Sequence, residues 1–146
     1  MKPTDLAYFA GIFDGEGCIV IHNQKHQCKS GVISTNSHIE INFGNVNEWI
    51  VRLFQFNFGG SIYSEKHFPR QTLWRWQCAS KIAYEFLQII TPYLKLKRAQ
   101  AEIALNFQRR RKYRGHILRN EKEIVLDQVD KILISNLNKN RKSKPE

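Results

Sequence analysis

Residues 5–21, DLAYFAGIFDGEGCIVI, constrain this chain more than any other stretch. An apolar segment ends in two carboxylates interleaved with glycines and passes directly into a β-branched run. Helix C-termini carry partial negative charge, so Asp14 and Glu16 sit where anions are disfavoured. The fold must supply something that offsets that cost. Thr4 reads as the helix N-cap, with Asp5 in the favourable first turn. Leu6, Phe9 and Phe13 recur at helical spacing on a bulky side, while Ala7, Ala10 and Gly11 form a second side of small residues. Such a helix can pack on its own core and let another helix come very close. Gly11 in mid-helix costs about 1 kcal/mol relative to Ala, which favours a packing reason for it.

Downstream, CIVIHNQ (18–24) reads as a strand and 24–36 as a polar, basic connection. SHIEINFGN (37–45) alternates, with Ile39, Ile41 and Phe43 on one face and His38, Glu40 and Asn42 on the other. NEWIVRLFQFNF (47–58) is a helix stopped by Gly59-Gly60. Residues 61–67 and 71–79 are two further strands: Ile62, Trp74 and Trp76 face one way, and Tyr63, Glu65, Leu73, Arg75 and Gln77 the other. Helices follow at 80–94, closed by Pro92, at 97–111 and at 120–137. Residues 138–146 read as a basic, disordered tail. The order α-β-β-α-β-β-α implies an α+β domain over 1–137 with an open antiparallel sheet. Helices cover one face of it and leave the other free. That free face gathers His22, Gln24, His38, Glu40, Asn42, Tyr63, Glu65, Arg75 and Gln77, which is hydrogen-bonding equipment for base edges.

Composition narrows the partner. Lys and Arg total 23 against 13 Asp and Glu, a formal net charge of +10 on 146 residues. That balance suits a polyanion. No apolar run approaches the roughly 20 residues of a membrane span, and the N-terminus lacks a signal-type block. Three cysteines without a CxxC read as reduced packing thiols of an intracellular protein. QRRRKYRGH (108–116) is the strongest basic run, and Arg110 within it is a candidate phosphate-backbone contact.

FAGIFDGEG (9–17) resembles the LAGLIDADG motif of homing endonucleases, and GGSIY (59–63), LWRWQ (73–77) and PYLKLKRAQA (92–101) fall where that family places similar elements. The resemblance covers roughly residues 5–105. It implies the αββαββα fold with a saddle-shaped sheet in the DNA major groove and additional C-terminal helices. It also implies that Glu16 binds Mg²⁺ (or another divalent cation such as Mn²⁺) and the attacking water. The carbonyl of Gly15 is a further metal ligand, and Asp14 makes structural hydrogen bonds at the helix ends. Glu16 stands where the commonest spelling has Asp, one methylene longer and still able to bind metal. By the same resemblance Lys97 acts near the reacting phosphate, with Lys95 the second choice. Asn45 positions solvent, with Asn47 the fallback.

One motif supplies half a saddle. A homodimer joined through Ala7, Ala10 and Gly11 follows, cutting both strands of a long pseudo-palindromic double-stranded DNA site. The alternatives are a non-cleaving DNA-binding regulator or an RNA-binding maturase that assists intron splicing. A basic domain with a protein partner is a third reading. The compartment is an organelle (chloroplast or mitochondrion) or a prokaryotic or phage cytoplasm.

Overall fold

The computed structural model describes residues 1–27, 31, 33–66, 69, 71–112 and 120–140, with the side chains of 24–27, 33–35, 112 and 140 left out of that description. The element order is α1 (Pro3–Glu16), β1 (Gly17–Gln27), β2 (Ile33–Asn45), α2 (Glu48–Phe58), β3 (Ser61–Glu65), β4 (Leu73–Ala79), α3 (Ser80–Ile90), α4 (Arg98–Lys112) and α5 (Glu121–Asn140). A short 3₁₀ turn, Thr91–Tyr93, joins α3 to α4. The four strands form one antiparallel sheet in the order β1-β2-β4-β3.

Alternation in sequence sets the two faces. Ile19, Ile21, Ile39, Ile41, Phe43, Trp76 and Cys78 are buried beneath the helices. Aromatic rings hold the centre: Phe54 lies 4.9 Å from Phe9, 4.4 Å from Phe43 and 5.3 Å from Trp76. Such rings prefer edge and tilted contacts because of their quadrupoles. Gly59 and Gly60 have φ of 74° and 89°, which an L side chain rarely adopts. The turn they make lets the indole nitrogen of Trp76 donate to the Gly59 carbonyl at 2.7 Å. No helix among the described residues is long and apolar enough to cross a membrane.

Several expectations shift. Helix α1 is capped at Lys2, not Thr4: Pro3 opens it, and the Asp5 carboxylate accepts from the Lys2 backbone at 3.1 Å. The polar stretch 24–36 is not simply a connection, since β1 and β2 stay paired from Gly17↔Phe43 out to Gln27↔Ile33. A strand polar on both faces gives no alternation to read, so its length was hidden. Helix α3 stops at Ile90, before Pro92. Cys78 is buried and Cys18 half-buried, while Cys28 lies outside the described residues.

The end of the chain differs most. Helix α5 continues to Asn140, so residues 138–140 are not tail, and Asn138 donates to the Ile19 carbonyl at 3.0 Å on the edge strand β1. Residues 141–146 lie outside the described residues. Helix α5 turns charge inward: Asp127 and Asp130 meet Arg110 and Arg111 of α4. Its apolar residues Ile124, Val125, Val129 and Ile132 stay between 43% and 60% exposed.

Candidate nucleic-acid interface and active centre

Helix α1 is anchored by Phe9 and Phe13, which are buried. Thr4, Ala7, Gly11 and Gly15 then form an exposed stripe at helical spacing. A Cβ built at Gly11 or Gly15 would meet nothing within 4 Å, so the stripe is open ground. Ala10, expected on this surface, is only 1% exposed and packs into the protein's own core. Phe9 and Phe13 fix the rotation of the helix, and that rotation turns Ala10 inward with them.

The C-terminal end of α1 answers the puzzle of its two acids separately for each. Asp14 is buried, and its carboxylate accepts from three successive backbone amides: Lys95 at 2.7 Å, Leu96 at 3.1 Å and Lys97 at 2.9 Å. Those amides lie in the bend just before α4, whose first turn starts with Ala101 donating to the Lys97 carbonyl. An anion unwelcome at one helix C-terminus is thus satisfied by backbone donors of the segment that leads into another helix, whose N-terminus favours negative charge nearby. Lys97 completes the exchange, because its Nζ donates to the Asp14 carbonyl at the end of α1. At 3% exposure Lys97 holds the junction of α1 and α4, whereas Lys95 is exposed.

Glu16, one step further, is exposed. Its Oε2 accepts from Asn45 Nδ2 at 2.7 Å, across 29 residues of sequence. The Asn45 side-chain oxygen in turn accepts from the Asn47 backbone at 2.8 Å. Asn47 caps α2 by accepting from Trp49 at 3.0 Å. Asn45 therefore touches the carboxylate, while Asn47 orients Asn45 and starts the next helix. The Gly15 carbonyl belongs to the last turn, whose carbonyls have no partner further along the helix. Gly17 fixes the turn into β1, since a Cβ there would fall 2.2 Å from the Phe13 ring.

Among the described residues no three His, Cys, Asp or Glu side chains converge. The donor set at the end of α1 is a carboxylate and a helix-end carbonyl, both hard oxygens. Such a set suits Mg²⁺, which keeps waters and substrate phosphates in most of its positions.

The outward sheet face carries the polar residues read from sequence. Cross-strand rows run Cys18–Asn42–Gln77–Ser61 and Gly44–Arg75–Tyr63, with His22 opposite His38. Glu40 lies beside them, 3.5 Å from both His22 Nε2 and Asn42 Nδ2. Arg75 Nε donates to Glu65 at 2.8 Å. Ser61 joins this face without having been singled out; its position opposite Gln77 was available only from the strand register. Gln24 lies in β1, but its side chain is outside the described ones.

Arg110 does not belong with them. Its guanidinium donates to Asp130 and lies 3.7 Å from Asp127, facing α5. Arg111 bonds Asp127 and Asn36, each at 3.0 Å, and lies over the Phe107 ring. Sequence showed a run of positive charge, but the carboxylates that neutralise it lie 16 to 20 residues away.

The sequence profile of the LAGLIDADG endonucleases matches residues 9–113, more than two thirds of the chain. The protein belongs to this family. Solved structures share the fold at low identity. I-CvuI, solved on the I-CreI target with magnesium and its DNA uncleaved, is 19% identical at a TM-score of 0.64, over 98% of this chain and 85% of that one. The archaeal intron-encoded homing endonuclease I-Vdi141I, in complex with DNA, is 13% identical at 0.67, covering 98% and 87%. I-SmaMI, bound to uncleaved DNA with calcium, is 16% identical at 0.61, covering 90% of this chain and 45% of that one. No curated protein sequence matches this chain.

Proposed function

We propose that the protein is a divalent-metal-dependent endonuclease that cuts both strands of a long pseudo-palindromic DNA site as a homodimer. The observation that carries this reading is the placement of Glu16. Its exposed carboxylate ends a helix with a bare small-residue stripe, next to a sheet face of hydrogen-bonding side chains.

The α1 stripe brings two copies together, and with them two Glu16 carboxylates and two sheet faces. Glu16 and the Gly15 carbonyl would hold the cation. When bound, the cation stabilises charge on the attacking and leaving oxygens of the phosphodiester. Asn45 fixes the rotamer of Glu16 through Oε2, which leaves Oε1 directed by that bond. Asp14 and Lys97 hold the end of α1 rigid against α4, so the carboxylate does not drift. The outward side chains of β1, β2, β4 and β3 read base edges, and the net charge of +10 supplies attraction to phosphate independent of sequence.

The non-cleaving alternative requires no acid at this point, and Glu16 is there. The test is to incubate purified protein and Mg²⁺ with a randomised duplex library and sequence the cut ends. Paired cuts around one two-fold motif are expected. A folded protein that leaves the whole library uncut in Mg²⁺ and in Mn²⁺ counts against cleavage.

A further inference from the structure

Arg75 and Glu65 are not directly opposite each other. Arg75 pairs across the strands with Tyr63, and Glu65 with Leu73. Their 2.8 Å bond therefore runs diagonally from β4 to β3, a separation long side chains can span. On the other side Arg75 pairs with Gly44 of β2. A Cβ at Gly44 would lie 3.4 Å from Arg75 Nη1, 3.5 Å from its Cγ and 3.3 Å from Leu73 Cδ1. The guanidinium thus lies beside the space that a side chain at position 44 would fill. Arg75 is 31% exposed and Glu65 36%, so the ion pair adds little stability. What it does fix is direction.

We infer that Glu65 is a positioning residue for sequence reading and not itself a base contact. By accepting from Nε it pins that edge of Arg75 and leaves the two Nη groups, with Nη1 beside Gly44, as the donors available to DNA. Among the described residues no hydrogen bond holds those Nη atoms. A two-pronged donor in fixed orientation matches guanine O6 and N7. Gly44 precedes Asn45, which touches Glu16, so the guanine read by Arg75 lies near the point of cleavage in each half-site. Gly44, Arg75 and Glu65 then act as one reading unit: one leaves room, one contacts, one aims. This rests on the DNA-reading proposed above.

The experiment binds wild type and variants to a randomised duplex library in calcium and sequences the bound fraction. Wild type is expected to enrich guanine at one position of each half-site. Arg75→Ala loses about tenfold of that preference. Glu65→Ala flattens the same position and no other, although it removes a negative charge and so helps general DNA affinity. Glu65→Gln keeps an acceptor oxygen and restores most of the preference, which a merely structural role would not require. Gly44→Val crowds the guanidinium and flattens the same position again. Matched melting curves confirm that the variants fold. Glu65→Ala that leaves the guanine preference intact, or alters a different position, overturns the inference while the DNA reading stands. A folded wild type that enriches no motif overturns the reading and the inference together.

Discussion

A carboxylate in the last turn of a helix is disfavoured there unless something other than that helix holds it. Asp14 is held by the backbone amides of Lys95, Leu96 and Lys97, just before α4; Glu16 has the Asn45 amide at 2.7 Å and solvent. That difference separates an acid tied into the fold from one left open to a cation. Glu16→Gln keeps the shape and the reach to Asn45 but removes the charge that a cation needs. Cleavage should disappear while binding to duplex in calcium persists. Loss of binding and cleavage together, with circular dichroism unchanged, would show that Glu16 holds DNA and not metal. Cys78 gives a second residue-scale expectation. Burial first, and then the negative charge of Glu40, push its thiol from 9.0 up to about 12. The folded protein keeps a proton that the unfolded chain releases above about pH 9, so in that window the native state binds more protons. Stability is fully present below about pH 9 and falls as pH rises towards about 12. In urea unfolding, wild type should lose stability more steeply than Cys78→Ala between about pH 8 and about pH 10.5. Parallel slopes would mean that the thiol does not couple to folding.

Between elements, the junction of α1 with α4 does work that neither helix can do alone. Asp14→Asn replaces one acceptor oxygen by an NH₂ facing backbone amides, which should cost about 1–3 kcal/mol. Lys97→Met removes the cation from the end of α1 and should cost about 1–2 kcal/mol. Both are read as a shift of the urea midpoint, and an unmoved midpoint in Asp14→Asn would make the three amide contacts incidental. This junction also shows where sequence reading reaches its limit. Period-two alternation placed Ile39, Ile41, Phe43, Trp74 and Trp76 inward, and their neighbours outward, because one buried face leaves a pattern. The apolar spacing of α1 likewise marked Phe9 and Phe13. Asp14 meets amides more than 80 residues away, a contact that no local spacing encodes. The same holds for Arg110, whose charge was visible but whose partners on α5 were not. Ala10 failed for a finer reason, since a small residue suits a crowded core as well as a close helix contact.

At the scale of the whole molecule, the proposed double-strand cutting needs two copies, and the stripe on α1 is where the second would join. Gly11 allows a clean test because of what does not surround it. A Cβ at this position meets nothing within 4 Å in one copy, so a larger side chain is free of clashes there. Replacing Gly by a good helix former in a helix interior also gains about 0.8–1 kcal/mol. Gly11→Leu should therefore fold at least as well as wild type when alone, yet hold two α1 helices apart. Sedimentation should find wild type dimeric and Gly11→Leu monomeric, with an undiminished melting temperature and no double-strand cleavage. A second lever is charge. Each copy carries +10, so a pair carries twice that, and like charge opposes association while screening relieves it. Without DNA the wild-type dimer should tighten as salt rises, whereas DNA binding should weaken over the same range. A wild type that sediments as a monomer on DNA and still cuts both strands would refute the half-site argument. A Gly11→Leu protein that dimerises and cuts normally would move the interface off α1.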